Sequence, residues 1–190
     1  MCGIRRNADI EYVNQLLPDY IGYVFAKKSK RYIAPEEAAK LTAKLDKKII
    51  PVGVFVNEPI GNVKELVKAG TIKIAQLHGN ENEEYISELH KEKITVIKAF
   101  IIKSKEDLKM AESSSADYIL LDSGMGSGKT FDYSLLNGME REYFLAGGLD
   151  PENVREAIKL SPFAVDVSSG IETDGIKDFE KMKKFMVSIY

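Results

Sequence analysis

A chain of 190 residues with 44% hydrophobic and 29% charged side chains can form one soluble domain with a sizeable core. Its formal net charge of -2 supplies no basic field for nucleic acid or an anionic membrane. No apolar run approaches the roughly 20 residues that cross a bilayer. The N-terminus lacks the apolar stretch of a secretory signal. The single cysteine excludes an internal disulfide and suits a reducing cytoplasm, so a cytoplasmic location is expected. His78 and His90 are too few and too isolated to suggest a zinc site, and no serine or cysteine lies in a hydrolytic nucleophile motif.

In chain order, Met1-Cys2-Gly3-Ile4 leaves room only for a stub of strand ending at Cys2. Gly22–Phe25 is the first full apolar run. Pro35–Leu45 then places Ala38, Leu41 and Leu45 on one helical face. Ile49–Val56 is the next run, followed by a short helix over Asn62–Lys68. Ile74–Leu77 precedes a helix over Glu83–Lys91, and Ile94–Phe100 precedes one over Ser104–Ser113. The latter opens on an N-cap serine with Glu106-Asp107 in its first turn. Tyr118–Leu121 and Glu142–Leu145 are further runs. Asp150–Leu160 begins Asp-Pro-Glu, an N-cap with proline at the first helical position. Ala164–Val167 is the last run. Lys177–Ile189 closes the chain as a helix with Phe179, Met182, Phe185, Met186 and Ile189 on one side.

The runs are rich in Ile, Val, Phe and Tyr, as buried parallel strands are. Seven runs plus the stub make eight strand-plus-helix units of roughly 20–25 residues. That alternation fits a single-domain (β/α)8 barrel over 1–190, with an open doubly wound sheet as the alternative.

Polar residues follow nearly every run, where barrel chemistry belongs. They are Cys2, Lys27–Arg31, Asn57, Gln76 with His78, Lys98, Asp122, Gly147-Gly148, and Asp166 with Ser168-Ser169-Gly170. The last two groups suit a phosphate, which needs converging backbone N–H groups and glycines that let the backbone approach. Gly170–Thr173 has the size of the short extra helical turn that accompanies such sites. Asp122 ends four apolar residues. Partial desolvation at a strand tip would raise its pKa and fit it for general acid work, whereas the plainer reading is a loop cap. Arg31, in a basic loop, could pair with a substrate carboxylate or merely face solvent. Gln76 and His78 could hydrogen-bond a substrate, although a structural histidine is an equal alternative. Ser123–Thr130 suggests a P-loop, but the motif needs glycine five positions before Gly128, where Ser123 stands. A glycine-rich loop at Gly124–Gly128 over an active site fits better. A lone cysteine is most often a small buried hydrophobe; Cys2, however, precedes glycine where a first strand would end.

Together these segments resemble the phosphoribosylanthranilate isomerase family of tryptophan biosynthesis. The matching residues are Cys2-Gly3-Ile4, Gly22–Phe25 with Ser29–Ile33, Val52–Asn57, Gln76–Gly79, Leu120–Asp122, Gly126–Asp132, Gly147–Leu149 with Pro151–Val154, and Ala164–Glu172. The resemblance implies a (β/α)8 barrel that uses no metal and no cofactor. It implies an Amadori rearrangement of N-(5-phosphoribosyl)anthranilate, with Asp122 as general acid and Cys2 as general base. Arg31 would bind the anthranilate, and Gly147, Gly148, Ser169 and Gly170 the phosphate. Gln76, His78 and Asp166 complete the expected substrate contacts. The expected partner is a small phosphosugar, not nucleic acid or membrane, for a monomer or homodimer. Two departures stand out. Only Met1 precedes Cys2, so the first strand reads as truncated, with a thinned core layer and lower stability expected. Ala146 replaces a common serine. Another phosphosugar barrel enzyme (a histidine-pathway isomerase or indole-glycerol-phosphate synthase) would need a different acid–base pair. A noncatalytic barrel binding a phosphorylated metabolite would need none.

Overall fold

The computed structural model describes residues 1–122, 136, 139 and 141–189. The Ser123–Thr130 segment, including the Gly124–Gly128 loop, and the Gly126–Asp132 match lie outside them. The chain divides into two compact units, Met1–Ile97 with Ser115–Asp117, and Lys98–Ser114 with Tyr118–Tyr190.

The first unit opens with α1 (Asn7–Leu16) and β1 (Tyr20–Val24), then α2 (Pro35–Thr42) and β2 (Ile50–Phe55). It continues through α3 (Ile60–Lys68), β3 (Ile74–Leu77), α4 (Glu83–His90) and the start of β4 (Thr95–Ile101). The second unit carries α5 (Lys105–Ser113), β5 (Tyr118–Asp122), β6 (Tyr143–Ala146), α6 (Val154–Ile158) and β7 (Ala164–Val165). A small antiparallel pair, β8 (Glu172–Thr173) and β9 (Ile176–Lys177), leads into α7 (Phe179–Ile189).

Strands β1 to β6 are apolar runs that are mostly buried, because helices cover what the pleat presents. Strands β1 to β7 lie in the sheet in chain order, with no point at which the order reverses. A doubly wound sheet requires such a reversal, so the unbroken order selects the (β/α)8 alternative. Cys2 supplies a single parallel bridge to Gly22, which is the stub expected of the first strand.

The element limits depart from the sequence expectation in physically simple ways. Helix α1 was not anticipated, because no Ser, Thr, Asp or Asn stands at its N-cap. Its start is fixed instead from inside the helix. The carboxylate of Asp9 accepts the Arg5 and Arg6 backbone N–H groups at 3.0 Å each and two guanidinium contacts from Arg6 at 2.9 and 2.6 Å. Helix α2 stops at Thr42 because Lys44 and Leu45 donate to carbonyls only three residues back. Helix α3 starts earlier than expected, directly after Pro59. At Asp150 the side chain accepts from the Glu152 and Asn153 N–H groups at 2.8 and 2.9 Å, closing a turn before α6 begins at Val154. Lys177 belongs to a strand, and Asp178 caps α7 by accepting from Glu180 and Lys181.

In the first unit the apolar faces of α1 and α2 bury Ile10, Val13, Ala38 and Leu41, and Phe25 stacks on Phe55 at 5.3 Å. Tyr23 is fully buried, and its hydroxyl accepts from Thr42 of α2 at 3.3 Å. In the second unit Tyr118 stacks on Phe163 at 4.9 Å.

Two stability outcomes follow. Asp9 is 0% exposed, so Asp9→Ala strands the N–H groups it serves; urea denaturation should show a loss of about 2–3 kcal/mol. Burial pushes the phenols of Tyr23 and Tyr85 up to about 12. Their folded forms hold the proton more tightly than the unfolded chain does. That contribution is complete below pH ~10 and is lost as pH rises toward 12. Alkaline melting curves of Tyr23→Phe and Tyr85→Phe should each fall less steeply over this window than those of the wild type.

Candidate active site

In the first unit the strand register lines up the candidate residues. Cys2 pairs with Gly22, Gly22 with Val52 and Val52 with Ile74. One level further along, Val24 pairs with Val54 and Val54 with Gln76. Side chains two apart share a face, so Cys2 and Gln76 look out from the same face of this sheet, and His78 is next on that face of the chain. Gln76 is buried and His78 half-buried.

Cys2 is seated by its neighbours' backbones. The Gly22 N–H donates to the Met1 carbonyl at 2.9 Å, and the Gly22 carbonyl accepts from Gly3 at 2.9 Å and Ile4 at 3.0 Å. The Met1 nitrogen donates to the Tyr20 carbonyl at 2.9 Å. Gly22 is itself required: a Cβ there would stand 2.8 Å from Cys2 Sγ and 3.2 Å from its Cα. The thiol occupies the space a side chain would take.

The loops after β2 and β3 are clipped together by Glu81, a residue the sequence reading passed over. Its buried carboxylate accepts the Asn57 N–H at 2.6 Å and the Gly79 N–H at 2.9 Å. Asn57 returns the link by accepting from Asn80 at 2.7 Å. It does so with a φ of 53°, and a Cβ on Gly79 would lie 2.5 Å from its side-chain oxygen. The signal was present in Gly-Asn-Glu-Asn, a turn-forming run with an acidic residue, but nothing local says that the carboxylate turns inward. Arg31 lies in the loop after β1, which is folded back on its strand: Tyr32 bridges Val24, Ile33 donates to Val24 at 3.0 Å, and the Arg31 N–H donates to the Ser29 hydroxyl at 3.1 Å.

The second unit assembles its own group. Asp122 pairs with Ala146, and Asp166, one step beyond the Leu145–Val165 pair, donates its N–H to the Leu145 carbonyl at 2.8 Å. Asp122, Ala146 and Asp166 therefore form one row on one face, with the two carboxylates separated by two strand spacings, roughly 10 Å. Ala146 is buried between them.

The glycine loops follow that row. Gly147 and Gly148 have φ of 102° and 66°, which a side chain resists. Asn153 holds the Gly148 carbonyl at 2.9 Å. Ser169–Ile171 is a 3-10 turn, the short helical turn expected near Gly170. A Cβ on Gly170 would lie 2.0 Å from the Leu149 carbonyl oxygen. Glycine at that position lets the loops after β6 and β7 touch backbone to backbone, Gly170 against Leu149 and Asp150. Among the described residues no cluster of three or more His, Cys, Asp or Glu side chains is arranged to hold a metal ion, and no helix is long and apolar enough to cross a membrane.

Comparison with known proteins gives a consistent answer. The family model described as N-(5'phosphoribosyl)anthranilate (PRA) isomerase matches residues 1–188. The N-(5'-phosphoribosyl)anthranilate isomerase of Thermoanaerobacter pseudethanolicus is 47% identical over 197 residues, covering 100% of this chain and 96% of that protein. The crystal structure of phosphoribosyl anthranilate isomerase from Thermotoga maritima aligns with a TM-score of 0.92 at 40% identity, covering 100% of this chain and 96% of that one. A crystal structure of that kind of isomerase in complex with reduced 1-(o-carboxyphenylamino)-1-deoxyribulose 5-phosphate aligns with a TM-score of 0.90 at 38% identity, covering 99% of this chain and 95% of that one.

The seat of Cys2 is open to a direct test. Gly22→Ala should force the thiol out of its place, costing about 1–3 kcal/mol of stability. Cys2 should then react faster with iodoacetamide than in the wild type, measured under native conditions.

Proposed function

Because the chain belongs to the N-(5'-phosphoribosyl)anthranilate isomerase family, with its (β/α)8 fold and its place in tryptophan biosynthesis, we propose that Cys2 and Asp122 are its acid–base pair. The 190 residues act as one catalytic domain in the cytoplasm, as a monomer or homodimer, on a phosphosugar substrate and without a cofactor.

Asp122, as the carboxylic acid, protonates the ribose ring oxygen. The C1'–O bond breaks, and the anthranilate nitrogen supplies the electron pair that forms the C1'=N bond of a Schiff base. Cys2, as the thiolate, removes the C2' proton, and the C2'–H pair moves to make an enolamine. Tautomerisation puts a proton on C1' and leaves a ketone at C2', giving 1-(2-carboxyphenylamino)-1-deoxyribulose 5-phosphate. Proton transfer by a positioned acid and base on opposite sides of one sugar, anchored by its phosphate, suits such an isomerisation. Arg31 pairs with the anthranilate carboxylate. Gln76, His78 and Asp166 hydrogen-bond the sugar. Backbone N–H groups at Gly147, Gly148, Ser169 and Gly170 receive the phosphate, for which the contact of Gly170 with the Leu149 carbonyl is the supporting geometry.

The observation that carries the reading is the seat of Cys2. Its thiol is set over Gly22 by backbone bonds on both sides and remains half-exposed, as a base must be.

The test follows loss of fluorescence from freshly made phosphoribosylanthranilate. Cys2→Ala and Asp122→Ala should each lower kcat by about 10²–10⁴-fold with little change in KM. Full activity in Cys2→Ala would remove the thiolate from the mechanism.

A further inference from the structure

We propose that Lys177 is a positioning residue that, through its buried ion pair with Glu172, aims the Ser169 N–H at the substrate phosphate. The proposal rests on the phosphate reading above and concerns how that site keeps its shape.

Lys177 is one of the few buried charged residues among those described, at 4% exposure. Its Nζ lies 2.7 Å from Glu172 Oε1, with side-chain exposures of 1% and 7%, and donates to the Ser168 carbonyl at 2.9 Å. The hairpin makes this meeting obligatory. Glu172 and Lys177 are directly paired across β8 and β9. The two residues of the turn, Asp174 and Gly175, both have positive φ, of 52° and 75°, the chemistry of a tight two-residue hairpin. Asp178 locks the exit by accepting from Thr173 at 2.7 Å, while its own N–H donates to the Ile171 carbonyl at 3.0 Å.

The peptide that Lys177 grips is the informative part. In a trans peptide the carbonyl and the following N–H point in opposite directions. Drawing the Ser168 carbonyl toward the ammonium turns the Ser169 N–H the other way, out of the pair. Ser168 has φ and ψ of -129° and -79°, outside the ordinary strand and helix regions, so this peptide orientation is held by its contacts. A buried ion pair is a poor source of stability, since well-packed apolar residues of similar volume often replace one without loss. Its presence under a phosphate turn is explained by direction.

The experiment compares wild type with the double variant Glu172→Leu/Lys177→Met, which removes both charges and leaves neither stranded. The readouts are KM and kcat for phosphoribosylanthranilate, the competitive Ki of inorganic phosphate, and the melting temperature. The double variant should fold with a melting temperature near the wild type's. KM and Ki should rise together by about tenfold, and kcat should change by less than about threefold. Lys177→Arg, which keeps the charge and donor, should recover most of the loss. Unchanged KM and Ki in the folded double variant would overturn the proposal. So would a double variant that fails to fold, which would assign the pair to stability alone. Wild-type protein that is inactive and insensitive to inorganic phosphate would instead overturn the phosphate reading beneath it.

Discussion

The Gly22 peptide is the constraint on which the site depends. Its N–H and carbonyl both bond the segment around Cys2, and its missing side chain leaves the volume that Sγ fills. The segment around Cys2 is held by backbone bonds in a partly buried setting, where each is stronger than in water. Because Gly22 also sits in register with Val52 and Ile74, the seat is continuous with the core of its unit.

The same economy recurs wherever the site must be rigid. Glu81 gathers two backbone donors from two loops. Gly170 removes the Cβ that would separate the β6 and β7 loops. Lys177 and Glu172 fill a buried position with charge, and the ammonium holds the Ser168 carbonyl. Within each unit the buried core is ordinary Val, Ile and Leu packing, and these few buried polar groups hold neighbouring backbone in place. Catalytic groups gain from such support because small displacements of a reacting group are expensive in rate.

Much of this was legible in the sequence, for local reasons. The seven apolar runs announced themselves because parallel strands buried on both faces need continuous Ile and Val. Ser104 and Asp150 announced turns because their side chains cap their own neighbours. Helix α1 escaped because its stabilising carboxylate, Asp9, lies inside the helix. Glu81, Gly22 and Lys177 escaped for a different reason: each acts on backbone that is distant in sequence or brought near by a turn. Spacing in the chain cannot say that Glu81 will face Asn57, 24 residues away. Strand order was similarly hidden, since both candidate topologies share one alternation, and only pairing separates them.

The solitude of Cys2 has a consequence for how the protein ages in an oxidising environment. A half-exposed thiol that reacts with peroxide becomes a sulfenic acid, and the usual rescue is condensation with a neighbouring thiol. The chain has one cysteine, so it offers no resolving partner. Repair must come from a small-molecule thiol before further oxidation to sulfinic acid, which such thiols do not reverse. The fraction of chains damaged in this way is read by the fraction of thiol lost, so a plain thiol count over time follows the oxidation of Cys2.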